Sequence, residues 1–559
     1  MSADDPQTYT VADYLLDRLA GEGVAHVFGV PGDFTLAFLD HVTARDDLEW
    51  VGCANELGAG YAADGYARLR GLAALSTTFG VGELSAIAAV AGSRAEHVPV
   101  LHIAGAPTTA TQAAARATHH TLGDGDFGHF DRMTAEVVAA HAIVTAQDYA
   151  AQIDDVLVQT RDRRLPGYLV LPADVSESPA TPPAAPLPRH PGVTDPAVGA
   201  AFRAALAAAV TDAASLAVLA DILVARLSAE DALHETLEQG ILHATLLWGR
   251  RVVNESAPGY LGSYLGAASA PDVRAAVEDS DLVVLAGVQF TDLTSGFFTQ
   301  RIDPRRAVEI GGEGVTWNGD RFAPLAMTDA LRLLADVVRA SGAHLARRSV
   351  TTIAGPSTVP RGSGALDQAT LWRDVAGFLR SGDVVLAEQG TAFYGMADHR
   401  LPAGVTFIGQ PLWAAIGYTL PALLGAALAR PDARPILLIG DGAAQMTVAE
   451  LGTLLRHRIP AVIVVVDNGG YTVERVIHGP DAAYNDIAAW DWVALLRAMD
   501  PTGSAHGIRV DTEEGLADAL AVAREATTLT LIQAVVPPLD VPPVLAVVAA
   551  AAARANRRA

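Results

Sequence analysis

Two short polar motifs in the last third of the chain have the residue types that bind a metal ion. Asp441 follows the apolar run Ile436–Ile439 after a single glycine, and Asn468 follows the run Val462–Val466 after a single aspartate. A carboxylate from Asp441, an amide oxygen from Asn468 and a backbone carbonyl from Gly470 are oxygen ligands of the kind that Mg²⁺ prefers. Either motif alone is typical of a turn. Together they predict a magnesium–diphosphate site, because the neighbouring glycines let the backbone approach a phosphate closely.

The apolar runs before the two motifs indicate how the motifs are brought together. Both runs are short and bounded by turn residues, which is typical of parallel strands buried on both faces. Between them, Thr447 and Glu450 match the capping-box pattern and predict the start of a helix. Ligands of open parallel sheets bind at the carboxyl ends of the strands. We therefore expect Asp441 and Asn468, 27 residues apart in sequence, to lie side by side.

The rest of the chain alternates helical and strand-like patterns in the same way. Thr10 and Asp13 match a capping box at the start of a helix, and Leu282–Ala286 is a short buried-strand candidate. This alternation predicts an α/β fold with three doubly wound parallel-sheet domains. Two stretches without apolar periodicity, 176–196 and 349–364, are predicted linkers. The predicted domains are 1–185, 195–345 and 365–559.

Composition limits the functions that the chain can have. Its 559 residues are 50% apolar and 18% charged, which is typical of a globular protein. The formal charge of −24 disfavours nucleic-acid binding, because the phosphate backbone would repel it.

The single cysteine, Cys53, permits no intrachain disulfide. The acidic start Met1–Asp5 lacks the features of a signal peptide, and the apolar run Val544–Ala553 is shorter than the roughly 20 residues that span a bilayer. We expect a cytoplasmic protein without a membrane segment.

The motifs at Asp441 and Asn468 resemble the signature of thiamine-diphosphate enzymes. Four further segments are similar to the pyruvate and indolepyruvate decarboxylase branch of that family: Gln410–Trp413, Ile416–Tyr418, Tyr471–Glu474 and Ile477–Pro480. The resemblance covers all three predicted domains, which it identifies as pyrimidine-binding, middle and diphosphate-binding. It implies thiamine diphosphate and Mg²⁺ as cofactors. It also implies the non-oxidative decarboxylation of 2-oxo acids to aldehydes and CO₂ through the ylide of the cofactor.

The resemblance assigns catalytic roles to five side chains. Glu56 matches the glutamate that activates the cofactor through its aminopyrimidine. Asp33, His119, His120 and Glu474 match the groups that face the reacting carbon and exchange protons. From residue types alone, other roles stay open. Glu56 suits a helix start, Asp33 a turn or helix cap, the two histidines a surface loop and Glu474 a solvated charge.

Further positions match residues that hold the cofactor or line the substrate pocket. Ala414 stands where relatives usually have glycine, and Asp467 where the pattern usually has a second asparagine. Val473 is smaller than the isoleucine of pyruvate-specific relatives, and Phe393 is bulkier than the alanine of indolepyruvate-type enzymes. These sizes favour branched-chain aliphatic or phenyl-bearing 2-oxo acids. Besides Glu56, Asp441, Asn468 and Gly470, the predicted cofactor residues are Thr391, Ala414, Ile416, Gly442 and Ala443; the predicted pocket residues are Gln389, Phe393, Tyr394, Val473, Val544 and Val548.

Several alternatives remain at this point. The substrate of a decarboxylase could be pyruvate or indolepyruvate. A flavin-containing carboligase or an NAD-dependent enzyme is disfavoured, because Ala286–Phe290 has no dinucleotide-binding fingerprint. A non-catalytic homologue with the same fold is a further alternative. Members of the family build each site between the first domain of one subunit and the last domain of another. The resemblance therefore implies a homodimer at minimum and commonly a homotetramer, acting on a small 2-oxo acid.

Overall fold

The computed structural model describes residues 8–190, 192–341 and 364–558. The predicted linker 349–364, except Gly364, and the acidic start lie outside the described residues. The chain folds into two compact units. The first contains the described residues up to His190, together with Gly417–Asp432 and Thr447–Ile459. The second contains the remaining described residues. The predicted domain boundaries stay a prediction.

The first unit is built on a six-stranded parallel sheet. Its strands are β1 (His26–Gly29), β2 (Glu49–Gly52), β3 (Ala73–Thr78), β4 (Val100–Ala106), β5 (Ala140–Ile143) and β6 (Gly167–Pro172), in the order β2-β1-β3-β4-β6-β5. The helices of this part of the chain are α1 (Val11–Gly21), α2 (Leu36–Thr43), α3 (Glu56–Arg70), α4 (Val81–Ala95), α5 (Thr109–Ala113), α6 (His129–Ala135), α7 (Tyr149–Arg163) and α8 (Ala173–Ser176). The predicted capping box of α1 is confirmed, with Asp13 accepting the Thr10 N–H at 2.8 Å.

The second unit contains a seven-stranded sheet formed by the middle of the chain. Its strands are β7 (Leu216–Ala220), β8 (Leu242–Thr245), β9 (Tyr260–Ser263), β10 (Leu282–Ala286), β11 (Ala307–Ile310), β12 (Val315–Trp317) and β13 (Asp320–Phe322), in the order β13-β12-β11-β10-β7-β8-β9. The pairs β11–β12 and β12–β13 are antiparallel, and the other pairs are parallel. The accompanying helices are α9 (Pro196–Asp212), α10 (Leu223–Arg226), α11 (Glu230–Leu237), α12 (Pro271–Glu278) and α13 (Met327–Ser341).

The last sheet, also in the second unit, carries the two polar motifs. Its six parallel strands are β14 (Val384–Ala387), β15 (Thr406–Ile408), β16 (Pro435–Gly440), β17 (Val462–Asp467), β18 (His506–Val510) and β19 (Thr530–Val535), in the order β15-β14-β16-β17-β19-β18. The helices of this region are α14 (Gln368–Phe378), α15 (Thr391–Gly395), α16 (Thr419–Ala429), α17 (Asp441–Thr447), α18 (Glu450–Arg456), α19 (Thr472–Ile477), α20 (Trp492–Met499), α21 (Glu513–Glu525) and α22 (Pro543–Arg558). Of these, α16 and α18 belong to the first unit, where α16 packs against α3.

The predicted fold class is confirmed, because three sheets dominated by parallel strands alternate with helices. The predicted capping box at Thr447 and Glu450 is wrong. The first helix after β16 starts at Asp441 itself, and Thr447 is its last residue, whose hydroxyl donates to the Gly417 carbonyl at 2.7 Å. Glu450 begins the next helix, and its Oε1 accepts the Ala54 N–H at 2.9 Å. A contact distant in sequence thus replaces the local cap.

Among the described helices, none combines the length and the apolar character that crossing a bilayer requires.

Candidate functional site

Asp441 is the buried carboxylate at the carboxyl end of β16. The parallel pairing of β16 with β17 aligns Gly440 with Val466, so the residues after both strands lie at the same edge of the sheet. Asp441 is only 3% exposed, and its two oxygens accept the backbone N–H groups of Gly442 and Gly469, each at 2.7 Å. Burial raises the pKa of Asp441 to about 6, since the carboxylate form loses its contact with water.

The side chain of Asn468 completes a cluster of polar atoms with Asp441. The end of its amide lies 2.9 Å from the Gly470 carbonyl oxygen and 3.2 Å from Asp441 Oδ1. With its nitrogen there, the amide donates to both oxygens and its own oxygen accepts from Thr472 Oγ1 at 3.0 Å. With its oxygen there, three oxygens face one another, an arrangement that a cation stabilises. The predicted ligands Asp441, Asn468 and Gly470 are therefore brought together.

The turn after Asn468 requires glycine at position 470. The φ angle of Gly470 is +140°, and a Cβ there would lie 2.2 Å from the Asn485 carbonyl oxygen. The buried Arg475 guanidinium donates to the carbonyl of Asn468 at 3.3 Å and to that of Gly469 at 2.8 Å. Arg475 thereby holds the turn that presents the Gly470 carbonyl. The sequence gives no spacing signal for this role.

Asp467, which departs from the family pattern, is anchored by the neighbouring strand. Its Oδ2 accepts from Gln533 Nε2 at 2.7 Å, and Gln533 lies on β19. The carboxylate adds a negative charge beside Asp441 and contributes to raising the pKa of that group. The polar partner on β19 explains how an acidic residue is accommodated at this strand end.

A cavity of about 570 Å³ in the second unit adjoins the cluster of Asp441 and Asn468. Most of the predicted residues of the last domain line it, and the exposed Glu474 lies on the same wall. The predicted residues that line the cavity are Gln389, Thr391, Tyr394, Ala414, Ile416, Asp441, Gly442, Ala443, Asn468, Gly470, Val473, Glu474 and Val548. The structure therefore places most of the predicted metal, cofactor and substrate residues of this unit around a single space.

Two predicted pocket residues, Phe393 and Val544, lie outside the cavity lining. Phe393 is 1% exposed, and its ring packs against Phe407 and against Gly409, where a Cβ would be 2.4 Å away. Val544 is 6% exposed and belongs to the same hydrophobic core. Their predicted effect on pocket size is therefore not supported by their placement. The wall is completed by residues that the prediction missed: Leu293, Phe297, Leu545, Ala549 and Ala552.

Ala414, at the cavity wall, has a backbone conformation that alanine rarely adopts. Its φ angle is +53°, in the left-handed region where the Cβ of an L-residue is crowded by the backbone. The main chain is held there because the Ala414 N–H donates to the Gln410 carbonyl at 2.9 Å, and the Ala415 N–H to Gln410 Oε1 at 3.1 Å. This conformation accounts physically for the glycine that relatives usually have at the position.

In the first unit, Asp33 and the two adjacent histidines form a polar cluster. Asp33 begins a 3₁₀ helix after β1, and its Oδ2 lies 2.8 Å from His119 Nε2. Its Oδ1 lies 4.0 Å from His120 Nε2. The His119 ring stacks on Phe34 at a centroid distance of 5.0 Å. Asp33 is 49% exposed and His119 is 59% exposed. The structure thus joins three predicted catalytic groups in a position accessible to a substrate.

Glu56, the remaining predicted catalytic residue, is the first residue of α3. Asn55 caps this helix by accepting the Gly58 N–H at 2.7 Å. The half-buried carboxyl of Glu56 points toward the start of α4, where a Cβ on Gly82 would lie 3.2 Å from Glu56 Oε1. β2 ends at Gly52, so a short connection leads from this strand to the helix that presents Glu56.

Comparisons with known proteins identify relatives of all three parts of the chain. Residues 9–129 match the family described as "Thiamine pyrophosphate enzyme, N-terminal TPP binding domain", residues 203–338 the central domain of these enzymes and residues 390–534 their C-terminal TPP binding domain. The chain is 51% identical over 556 residues to an alpha-keto-acid decarboxylase of Mycobacterium tuberculosis (strain ATCC 25618 / H37Rv), covering 97% of both chains. It is 52% identical over 553 residues to an alpha-keto-acid decarboxylase of Mycobacterium avium (strain 104), covering 97% of this chain and 96% of that one.

We expect the substitution Ala414→Gly to stabilise the protein. Removing the Cβ relieves the left-handed crowding by about 1 kcal/mol, partly offset by the entropy that glycine loses on folding. The midpoint temperature of thermal unfolding should therefore rise by roughly 1–3 °C. Ala415→Gly is the matched control, because Ala415 is not among the described residues with positive φ, and it should lower the unfolding temperature. A decrease for Ala414→Gly equal to that of the control would contradict the strain at this position.

Proposed function

Because this chain belongs to the thiamine-diphosphate-dependent 2-oxo acid decarboxylase family, we propose that it converts 2-oxo acids into aldehydes and CO₂ without net oxidation. One observation carries the proposal. The polar atoms of Asp441, Asn468 and Gly470 converge beside a cavity of about 570 Å³ that is lined by the predicted cofactor residues of the second unit. A metal ion with a bound diphosphate needs such an arrangement of oxygen atoms beside a cavity. The similar alpha-keto-acid decarboxylases indicate the reaction for which the cofactor would be used.

The residues present fit Mg²⁺ and a diphosphate. Asp441, Asn468 and Gly470 would hold the ion, with Thr391, Gly442 and Ala443 beside the phosphates. A Cβ at Gly440 would have no described atom within 4 Å, so the backbone is open to close approach there. Ala414 and Ile416 line the same cavity and would support the rings of the cofactor. When bound, thiamine diphosphate supplies a nucleophilic carbon and a ring that accepts the electrons released with CO₂.

The protein's own contribution is to hold and move protons. Replacing CO₂ by hydrogen on the carbonyl carbon consumes one proton for each aldehyde formed. Asp33 Oδ2 and His119 Nε2 lie 2.8 Å apart, within hydrogen-bond distance, and both side chains are open to solvent. His120 and Glu474 would complete this set of donors and acceptors, and Glu56 would hold the proton that the aminopyrimidine of the cofactor exchanges. Phe34 restricts the His119 ring, which lowers the entropy lost on binding substrate.

A second copy of the chain is part of the proposal. The half-exposed Asp33 and His119 belong to the first unit, and Asp441 and Glu474 to the second. Members of the family combine the first domain of one subunit with the last domain of another. We extend that arrangement to this chain as a homodimer at minimum, with a homotetramer as the common form.

The proposed substrates are larger than pyruvate. Val473 and Val548 leave the apolar part of the cavity wide, and Ala549 and Ala552 on α22 add little bulk. The ring of Phe393 does not narrow this space, because it is buried in the core. Leu293, Phe297 and Tyr394 provide an apolar and aromatic wall suited to a branched-chain or phenyl group. Pyruvate and indolepyruvate remain the alternatives that measurement must separate.

The proposed activity is tested by the purified protein with Mg²⁺ and thiamine diphosphate. We expect aldehyde and CO₂ in equal amounts from branched-chain or phenyl-bearing 2-oxo acids. Glu56→Gln should lower kcat by about 10²- to 10⁴-fold, because a proton-transfer group is lost. Glu136→Gln, the same change on an exposed glutamate of the same unit, should leave kcat unaltered. Formation of 2-hydroxyketones instead of aldehydes would indicate a carboligase, and no product from any 2-oxo acid would indicate a non-catalytic homologue.

Magnesium binding should weaken in acid because the proton competes with the ion at Asp441. The folded pKa of about 6 lies above the ordinary value near 4, so the folded state holds the proton more tightly than the unfolded chain. The free energy of unfolding of the cation-free protein therefore falls as the pH rises from about 4 to about 6. A cation favours the charged form. The apparent Kd for Mg²⁺ should therefore rise about fivefold between pH 6 and pH 5 and stay nearly constant above pH 7.

The measurement is a titration of the protein and thiamine diphosphate with Mg²⁺ at several pH values, in which cofactor binding is monitored by intrinsic fluorescence. Asp441→Ala should abolish the dependence on Mg²⁺. Asp467→Asn is the matched control, because the Asp467 carboxylate is bonded to Gln533, and it should bind Mg²⁺ within about threefold of the parent protein. Equal binding by Asp441→Ala and the parent protein would remove Asp441 from the site.

Val473→Ile should shift substrate preference toward pyruvate. One added methylene in an apolar pocket changes discrimination by about 1–3 kcal/mol, so the ratio of kcat/KM for a phenyl-bearing substrate to that for pyruvate should fall at least about tenfold. Val544→Ile makes the same change at a core position of α22 that does not line the cavity, and it should leave the ratio intact. Equal ratios for both variants would exclude Val473 from substrate selection.

A further inference from the structure

Glu83 is a fully buried carboxyl of the first unit that the proposed chemistry does not use. It lies in the first turn of α4 and is 0% exposed. Its Oε1 accepts the Gly80 N–H at 2.6 Å, and its Oε2 accepts the hydroxyl of the buried Tyr168, on β6. Burial raises the pKa of Glu83 to about 7, so a neutral side chain of the same shape is a close mimic of its protonated form.

The turn that Glu83 holds is in contact with two of the predicted catalytic residues. The main chain of Gly80 has φ +61° and ψ −88°, and a Cβ there would lie 1.9 Å from the His120 carbonyl oxygen. Two residues on, a Cβ at Gly82 would lie 3.2 Å from Glu56 Oε1. The turn thus packs against the backbone of His120 on one side and the carboxyl of Glu56 on the other.

His120 itself depends on being held from outside. Its φ angle is +61°, which is unfavourable for a non-glycine residue, so the surrounding structure must fix the conformation. The described neighbours that meet its carbonyl include Gly80, whose position is set by the hydrogen bond to Glu83. A movement of the Gly80 turn would change its packing against the His119–His120 segment. The distance from His119 to Asp33 would change as a result.

We propose that Glu83, held by Tyr168, is a positioning residue that fixes the Gly80–Gly82 turn and thereby the placement of His120 and Glu56. The inference rests on the proposed decarboxylase function for its kinetic consequence. The contact between the turn and the histidine segment is independent of that function. Glu83 also caps α4, so the test must separate positioning of the site from simple loss of a helix cap.

The kinetic test compares three substitutions with a matched cap elsewhere. Glu83→Ala removes both hydrogen bonds and should lower kcat by about 10- to 100-fold with KM changed less than about threefold, because a small displacement of proton-transfer groups acts on the chemical step. Glu83→Gln can still accept from Gly80 and donate to Tyr168, so it should keep kcat within about threefold. Tyr168→Phe should fall between them. Asp13→Ala removes the equivalent capping carboxylate of α1 and should leave kcat unchanged.

A second measurement does not require activity. Amide hydrogen exchange of residues 118–123, followed by mass spectrometry on the full chain, should become faster in Glu83→Ala and stay unchanged in Asp13→Ala and Glu83→Gln. Unaltered exchange and kcat in Glu83→Ala, with a loss of thermal stability like that of Asp13→Ala, would overturn the proposal and leave Glu83 as a helix cap. If the parent protein decarboxylates no 2-oxo acid, the proposed function fails, and the exchange of residues 118–123 alone decides the role of Glu83.

Discussion

The site in the second unit depends on one buried carboxylate at the end of a parallel strand. Asp441 is almost completely removed from water, yet both of its oxygens accept backbone N–H groups from the chain that follows β16 and β17. Burying a charge without partners is costly, so the sheet edge must supply hydrogen bonds or a cation. The parallel register of the two strands brings Asn468 to the same place. The N–H groups of Gly442 and Gly469 meet this requirement, and the Asn468 amide and the Gly470 carbonyl lie beside the carboxylate.

Local backbone constraints then fix the rest of the cavity wall. Gly470 has no room for a side chain, and Arg475 holds the preceding carbonyls from behind. Ala414, which also lines the cavity, keeps a left-handed conformation in which the smaller glycine would be unstrained. Strain of this kind persists where surrounding hydrogen bonds over-determine the main chain. The first unit repeats the pattern at His120, whose positive φ is supported by the turn at Gly80.

Most of the fold was predictable because its signals are local, whereas parts of the site were not. The strands ending before Asp441 and Asn468 are marked by apolar runs, and their parallel pairing follows from that pattern. Glu450 failed as a capping residue because its partner, Ala54, lies almost 400 residues away, which periodicity cannot reveal. Phe393 was assigned to the pocket by position alone, although its ring turns into the core. On α22, the spacing of Leu545, Val548, Ala549 and Ala552 marks one face of a helix and would have identified the wall that Val544 does not join. Nothing local indicates that Leu293 and Phe297 reach the same cavity.

We propose that Asp441, Asn468 and Gly470 form a cation site for a diphosphate. Its most direct test is the anomalous diffraction of Mn²⁺ in crystals of the protein grown with thiamine diphosphate. We expect a single strong peak within bonding distance of an Asp441 carboxylate oxygen, the Asn468 amide oxygen and the Gly470 carbonyl, at about 2.1–2.3 Å from each. A cofactor bound in the cavity with the Mn²⁺ peak elsewhere, or with the Asn468 nitrogen facing Gly470, would contradict this cation site.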